Sequence, residues 1–189
     1  MLVDVTEDIR KEAYRIARAR DGTGLSKKLK TSFSNPQPHL STLRGHWIGA
    51  IGEIVIGRTY PTLTPYKTLD YKEDDDFTLN GFRIEVKTEV WRNHKPNFLA
   101  HAGLVQRHKP DLILFCTLNN EPDKCTLLVV HGYMHTEDVV KCFLMTHGSL
   151  SHNPLPNPAY CVIPSDLKDF DQFYKAHQPV GWKLLLDLF

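Results

Sequence analysis

The sequence predicts a mixed α/β (α+β) chain with a central mixed β-sheet flanked by helices, and three observations carry that expectation. Asn80-Gly81 stands between two runs that alternate apolar and polar residues, the signature of a two-residue hairpin turn whose central residues both need positive φ. Asp111 to Leu118, DLILFCTL, is a nearly continuous apolar run of the kind found in strands buried on both faces. Apolar residues recur at helical spacing after Thr6, after Ser41 and after Asp166.

Thr6, followed by Glu7, Asp8, Ile9, Ala13, Ile16 and Ala17, predicts an N-capped amphipathic helix ending near Asp21-Gly22. Its basic residues, Arg10, Lys11, Arg15, Arg18 and Arg20, form a solvated face or a phosphate contact. Residues 21–40 are rich in Gly, Ser, Lys and Pro without a sustained period and read as a basic loop. Ser41 is expected to cap a helix reaching Arg58, in which Gly45, Gly49 and Gly52 form a small-residue stripe suited to close backbone approach. Glu53 lies in this otherwise apolar helix and needs a partner if buried, and His46 precedes it by seven positions on the same helical face.

Residues 59–75 read as a connector, and the hairpin follows. A two-residue loop sets Leu79 opposite Phe82, Thr78 opposite Arg83, Phe77 opposite Ile84 and Asp76 opposite Glu85. Alternation then sends Phe77, Leu79, Phe82, Ile84, Val86 and Val90 to one face, and Asp76, Thr78, Arg83, Glu85, Lys87 and Glu89 to the other. Beyond it, residues 91–110 read as a loop and short helix over the polar face, with Trp91 and Phe98 able to stack on bases or on the core and Trp91 preferred as core. Residues 119–123 turn the chain into a second strand, CTLLVVH, and Thr136-Glu137-Asp138 is expected to cap a short helix to about Phe143. Residues 146–158, with three prolines, read as a loop; AYCVIP as a strand; Ser165-Asp166 as the opening of a helix striped by Leu167, Phe170, Phe173 and Tyr174; and GWKLLLDLF as a terminal strand.

With 189 residues and 41% hydrophobic content, one domain is expected, its core over about 41–131, with the N-terminal helix and basic loop over 1–40 and C-terminal helices and strands over 132–189. A net charge of +1 is no global signature of a nucleic-acid binder, but residues 91–110 carry Arg92, Lys95, Arg107 and Lys109 and no acidic residue, while 111–189 hold five lysines against nine acidic residues. Cys116, Cys125, Cys142 and Cys161 show no zinc-like spacing and read as free thiols of a reducing compartment. The acidic N-terminus is unlike a signal peptide and no run is long enough to span a membrane, so a soluble, intracellular protein is expected.

Two carboxylates opposite one another on a sheet repel unless a cation lies between them, and Mg²⁺, a hard ion held by one or two carboxylates and substrate phosphate, would serve. Lys87, on the face of Glu85, can reach the same place. At these residues the sequence resembles the PD-(D/E)XK nuclease superfamily, also called restriction-endonuclease-like. The likeness consists of Asp76, a short hairpin, Glu85-Val86-Lys87 as the E-x-K element, and an upstream helical Gly-Ala-Ile-Gly-Glu ending at Glu53, and it spans roughly Ser41 to Leu118. No proline precedes Asp76, and Asp74 and Asp75 beside it, with Asp70 further back, leave other aspartates open as ligands, though parity favours Asp76.

The resemblance implies a restriction-endonuclease-like core and a metal-dependent endonuclease acting on DNA. Asp76 and Glu85 would bind Mg²⁺ or Mn²⁺, Lys87 would assist the attacking water, and Glu53 would support the metal. Arg92, Lys95, Arg107 and Lys109 would meet the nucleic-acid backbone, and cutting both strands calls for two active sites, hence a homodimer. Two other readings stand beside it: an RNA endonuclease of the cap-snatching type, in which His46 joins the carboxylates and favours Mn²⁺, and a non-catalytic nucleic-acid-binding protein.

Overall fold

The structure, a computed structural model, describes residues 1–22, 38–65, 76–91, 98–147 and 154–178. Its strands are β1 (Leu2–Asp4), β2 (Thr64–Pro65), β3 (Phe77–Leu79), β4 (Phe82–Val90), β5 (Phe98–His101), β6 (Leu112–Leu118), β7 (Leu127–His135), β8 (Phe143–His147) and β9 (Pro154–Val162). Its helices are α1 (Glu7–Gly22), α2 (Pro38–Thr59), α3 (Ala102–His108), α4 (Thr136–Val139) and α5 (Phe170–His177). Six strands make a mixed sheet in the order β1-β7-β6-β4-β3-β2, and a second sheet runs β5-β9-β8. The α/β expectation holds.

The hairpin forms in the expected register, with Leu79 paired to Phe82 and Phe77 to Ile84, and Asn80 and Gly81 take φ of 47° and 87°. β4 then pairs in parallel with β6, from Ile84 opposite Leu112 to Val90 opposite Leu118, and the crossover between them supplies β5 and α3. Because side chains alternate, β6 feeds two cores while β4 feeds one and turns its polar residues to the other side. Ile84, Val86, Leu112 and Leu114 pack with Ile51, Val55 and Ile56 of α2, whereas Ile113 and Phe115 pack with Phe98, Val105, Tyr160 and Val162 of the second sheet and α3. All seven residues of β6 are buried, as a strand covered on both faces requires.

Gly52 lets α2 lie on β4, since a Cβ there would meet the Thr88 Cβ at 3.0 Å. α1 packs along α2, its Ile9 N–H donating to the capping Thr6 hydroxyl at 3.4 Å, and Arg10 donates to the carbonyls of Val5 and Cys125. α5 docks through aromatic rings, with Phe173 against Phe82 and Tyr133, and Tyr60 donates to Asp171 Oδ1 at 2.7 Å. All four thiols are free. Among the described residues no helix is long and apolar enough to cross a membrane.

Several boundaries differ from the sequence expectations. α2 begins at Pro38, so Ser41 is not its cap. The N-terminal Leu2–Asp4 forms a strand against β7, because it supplies the missing edge of the sheet. The helix at Thr136 is a single turn whose N-cap residue is His135, and Phe143 instead opens β8. Residues 154–158 belong to β9 rather than to a loop: Pro156 and Pro158 fall where no ladder partner is recorded, while Ala159–Cys161 pair on both sides. Ser165-Asp166 lies in a 3₁₀ turn, and α5 starts later with Asp169 as its cap, accepting from the N–H of Asp171 and Gln172. Residues 23–37 of the basic loop and the terminal GWKLLLDLF lie outside the described residues.

Candidate active site

β4 carries Glu85, Lys87 and Glu89 on the face turned toward the second sheet, and the β3–β4 hairpin brings Asp76 to the residue before β3. There, where the β3–β4 ladder ends, Asp76 Oδ2 accepts the Val86 N–H at 2.6 Å. This contact anchors the carboxylate to the strand that bears Glu85 and Lys87. Lys87 Nζ donates to Glu85 Oε1, and their side chains keep only 23% and 13% of their exposure. Such shielding makes the pair respond strongly to any added charge.

The cluster is electrostatically unbalanced at Asp76. Desolvation, then Glu85, then Glu53 push the Asp76 carboxyl well above the usual carboxylate range, against smaller lowering from Lys87 and the Val86 N–H. For Lys87, burial works to lower the ammonium's affinity for its proton, but Glu85, Asp76 and Glu53 together outweigh it and hold the pKa above the ordinary lysine value. Lys87 is therefore a cation at neutral pH.

Glu53 reaches this cluster from α2, and its two oxygens accept from Arg20 Nη1 at 2.7 Å and Nη2 at 2.5 Å. The pair is largely shielded, at 16% and 14% side-chain exposure, so α1 latches onto the helix glutamate. His46 lies in the same neighbourhood, its pKa lowered by burial and Arg20 against the opposing pull of Asp21 and Glu53. On the other side of Lys87, His101 ends β5; desolvation and the Lys87 charge hold its imidazole below the usual range, with Glu89 opposing. At neutral pH it is uncharged.

The donor set suits a hard divalent ion in its chemistry: Asp76, Glu85 and Glu53 supply carboxylate oxygens, and the raised Asp76 carboxyl is the group a cation would relieve. Among the described residues, however, no three His, Cys, Asp or Glu side chains stand ready as a metal cage, since Glu85 is turned to Lys87 and Glu53 to Arg20. Asp70, Asp74 and Asp75 lie outside the described residues, as do Arg92 and Lys95. Arg107 and Lys109 are exposed at the end of α3, where the Lys109 carbonyl accepts from the Arg83 guanidinium, at the hairpin end of β4.

Sequence reasoning thus brought Asp76, Glu85, Lys87 and Glu53 to one place, but missed two partners. Arg20 was read as a solvated or phosphate-facing residue, and nothing local in the sequence pairs it with Glu53. His101 falls in the 91–110 segment expected over the polar face, but the segment forms the strand β5 there, and the pairing of β5 with β9 sets where His101 lies. Trp91 is a correction: it is 50% exposed rather than core. The chain matches no family model, no curated protein and no solved structure with which it was compared.

Proposed function

We propose that the chain is a metal-dependent nuclease that hydrolyses phosphodiester bonds in DNA, with Asp76, Glu85 and Lys87 at its centre. The observation that carries this reading is the Asp76 carboxyl, held against the Val86 N–H among Glu85, Glu53 and Lys87 and left with too little positive charge around it. Asp76 and Glu85 would hold Mg²⁺ or Mn²⁺. When bound, that ion would neutralise phosphate charge and make water a competent nucleophile at neutral pH.

The chain's own groups would do the rest. Lys87, kept as an ammonium, donates hydrogen bonds and cannot serve as the base; it orients the attacking water and offsets the charge growing on the phosphoryl oxygens. Water adds to phosphorus as the bond to the leaving oxygen breaks, and the proton lost by the water passes to a carboxylate of the cluster. Glu53, gripped by Arg20, acts through its charge as a support for the site. Arg107 and Lys109, together with Arg92 and Lys95, are the proposed backbone contacts, a homodimer is the proposed form for cutting both strands, and the free thiols support an intracellular setting.

One observation favours a non-catalytic reading: both glutamates are already ion-paired, as in a structural network. Supercoiled and linear DNA, with single-stranded RNA as a control, should be incubated with wild type and Lys87→Ala in EDTA, Mg²⁺ and Mn²⁺. DNA cleavage that requires metal and falls at least about 100-fold in the variant is expected. A folded wild type that binds DNA and cuts nothing in either metal would establish the binding-protein reading instead.

A further inference from the structure

We infer that Trp91, backed by His131, is a stacking platform for an unpaired DNA base, and that the preferred substrate carries single-stranded DNA beside the scissile phosphate. The inference rests on the nuclease reading for the chemistry but on separate residues for its geometry. Trp91 immediately follows β4, and its parity is that of Glu85, Lys87 and Glu89, so it continues the same row of side chains. Four residues separate it from Lys87, about 13 Å along an extended strand. A base on the indole would sit within a few nucleotides of a phosphate at Lys87.

The ring is held by its backbone and by a neighbouring ring. Its backbone N–H donates to the Leu118 carbonyl at 2.8 Å, which ties the end of β4 to the end of β6. One side of the indole faces the His131 imidazole, with centroids 6.0 Å apart and planes only 7° from parallel. His131 is itself fixed: its Nε2 is 2.8 Å from the Thr117 hydroxyl, and Phe98 leans on it with centroids 4.9 Å apart. Desolvation and the N-terminal ammonium hold His131 below the usual histidine range, so it backs the indole as a neutral ring at neutral pH. Trp91 nonetheless keeps 50% of its surface exposed, an unusual expense of apolar area for a tryptophan so firmly supported.

An exposed indole with a rigid backing is what base stacking requires, and a base inside a duplex already has both faces covered. The platform therefore selects single strands, frayed ends or branches over intact duplex. It is sequence-tolerant, because every base offers a π-face.

Binding is measured in EDTA, where no cutting occurs, by fluorescence anisotropy of a labelled dT oligonucleotide, a duplex and single-stranded rU. Wild type, Trp91→Ala and Trp91→Phe are compared after their melting curves establish that each is folded. Trp91→Ala should lose about ten-fold or more in affinity for dT, Trp91→Phe should keep most of it, and duplex affinity should be the same in all three. Equal dT affinity in a folded Trp91→Ala overturns the platform, as does an equal loss on duplex; tighter binding of rU than dT overturns its assignment to DNA. If wild type cuts in a Lys87-dependent way but Trp91→Ala binds dT normally, the platform fails and the nuclease stands. The Trp91 effect without any cleavage leaves the platform standing and removes the nuclease.

Discussion

Asp76 concentrates the chemistry of this chain because its environment opposes its charge. Folding raises the carboxyl above its ordinary range through desolvation and the neighbouring Glu85 and Glu53, so the native state keeps a proton that the unfolded chain releases. Between the ordinary carboxyl value and the raised one, the native chain binds more protons than the unfolded chain, and stability falls as pH rises; above that window the full cost remains. Asp76→Asn removes the charge and keeps an oxygen for the Val86 N–H. In metal-free buffer the variant should therefore gain in melting temperature over wild type as pH climbs above about 4. A lead that is absent or shrinks with pH would show that Asp76 sits comfortably as an anion. Lys87, also raised, gives the same slope at higher pH: it adds stability below the ordinary lysine range that is lost as pH rises through the folded value.

At the scale of elements, the α2–β4 contact fixes Glu53 relative to the hairpin. A Cβ on Gly52 would run into Thr88, whose hydroxyl is buried, whereas one on Gly45 would meet nothing within 4 Å. Gly52→Ala should cost about 1–3 kcal/mol by pushing helix from strand, and Gly45→Ala should gain up to about 1 kcal/mol from helix propensity. Denaturant melts of the two variants check the pair, and equal effects would mean that α2 does not lie on β4 as described. The stripe of Gly45, Gly49 and Gly52 shows what the sequence could convey. Their helical spacing announced a close approach, but not which glycine made it, because spacing within a helix says nothing about which face meets a partner. The β3–β4 register was legible since Asn80-Gly81 allows only one pairing, and β6 was legible since a strand covered on both faces has no room for polar residues. β9 was not: its three prolines match loop chemistry, and while Pro154 pairs with His147, Pro156 and Pro158 fall in gaps of the ladder that no local pattern announces.

For the whole molecule, Glu85, Lys87, Glu89 and Trp91 form one row along β4, on the side where Ile113 and Phe115 of the neighbouring β6 meet the smaller sheet. The carboxylates and the lysine could be read from parity alone. Arg20 and His131 could not, since each arrives from an element distant in sequence, and His101, on the strand that follows β4, is placed by packing. Under the proposed function, a cation entering the site would compete with two ion pairs, Arg20 on Glu53 and Lys87 on Glu85. The proposed function requires the Asp76–Glu85 pair to take a divalent cation. Calorimetric titration of Mn²⁺ and Mg²⁺ into metal-free wild type and Asp76→Asn measures that binding. Saturable binding to wild type that weakens by about ten-fold or more in the variant, a loss of about 1.4 kcal/mol, is expected; equal binding by both proteins, or none by a folded wild type, would contradict it.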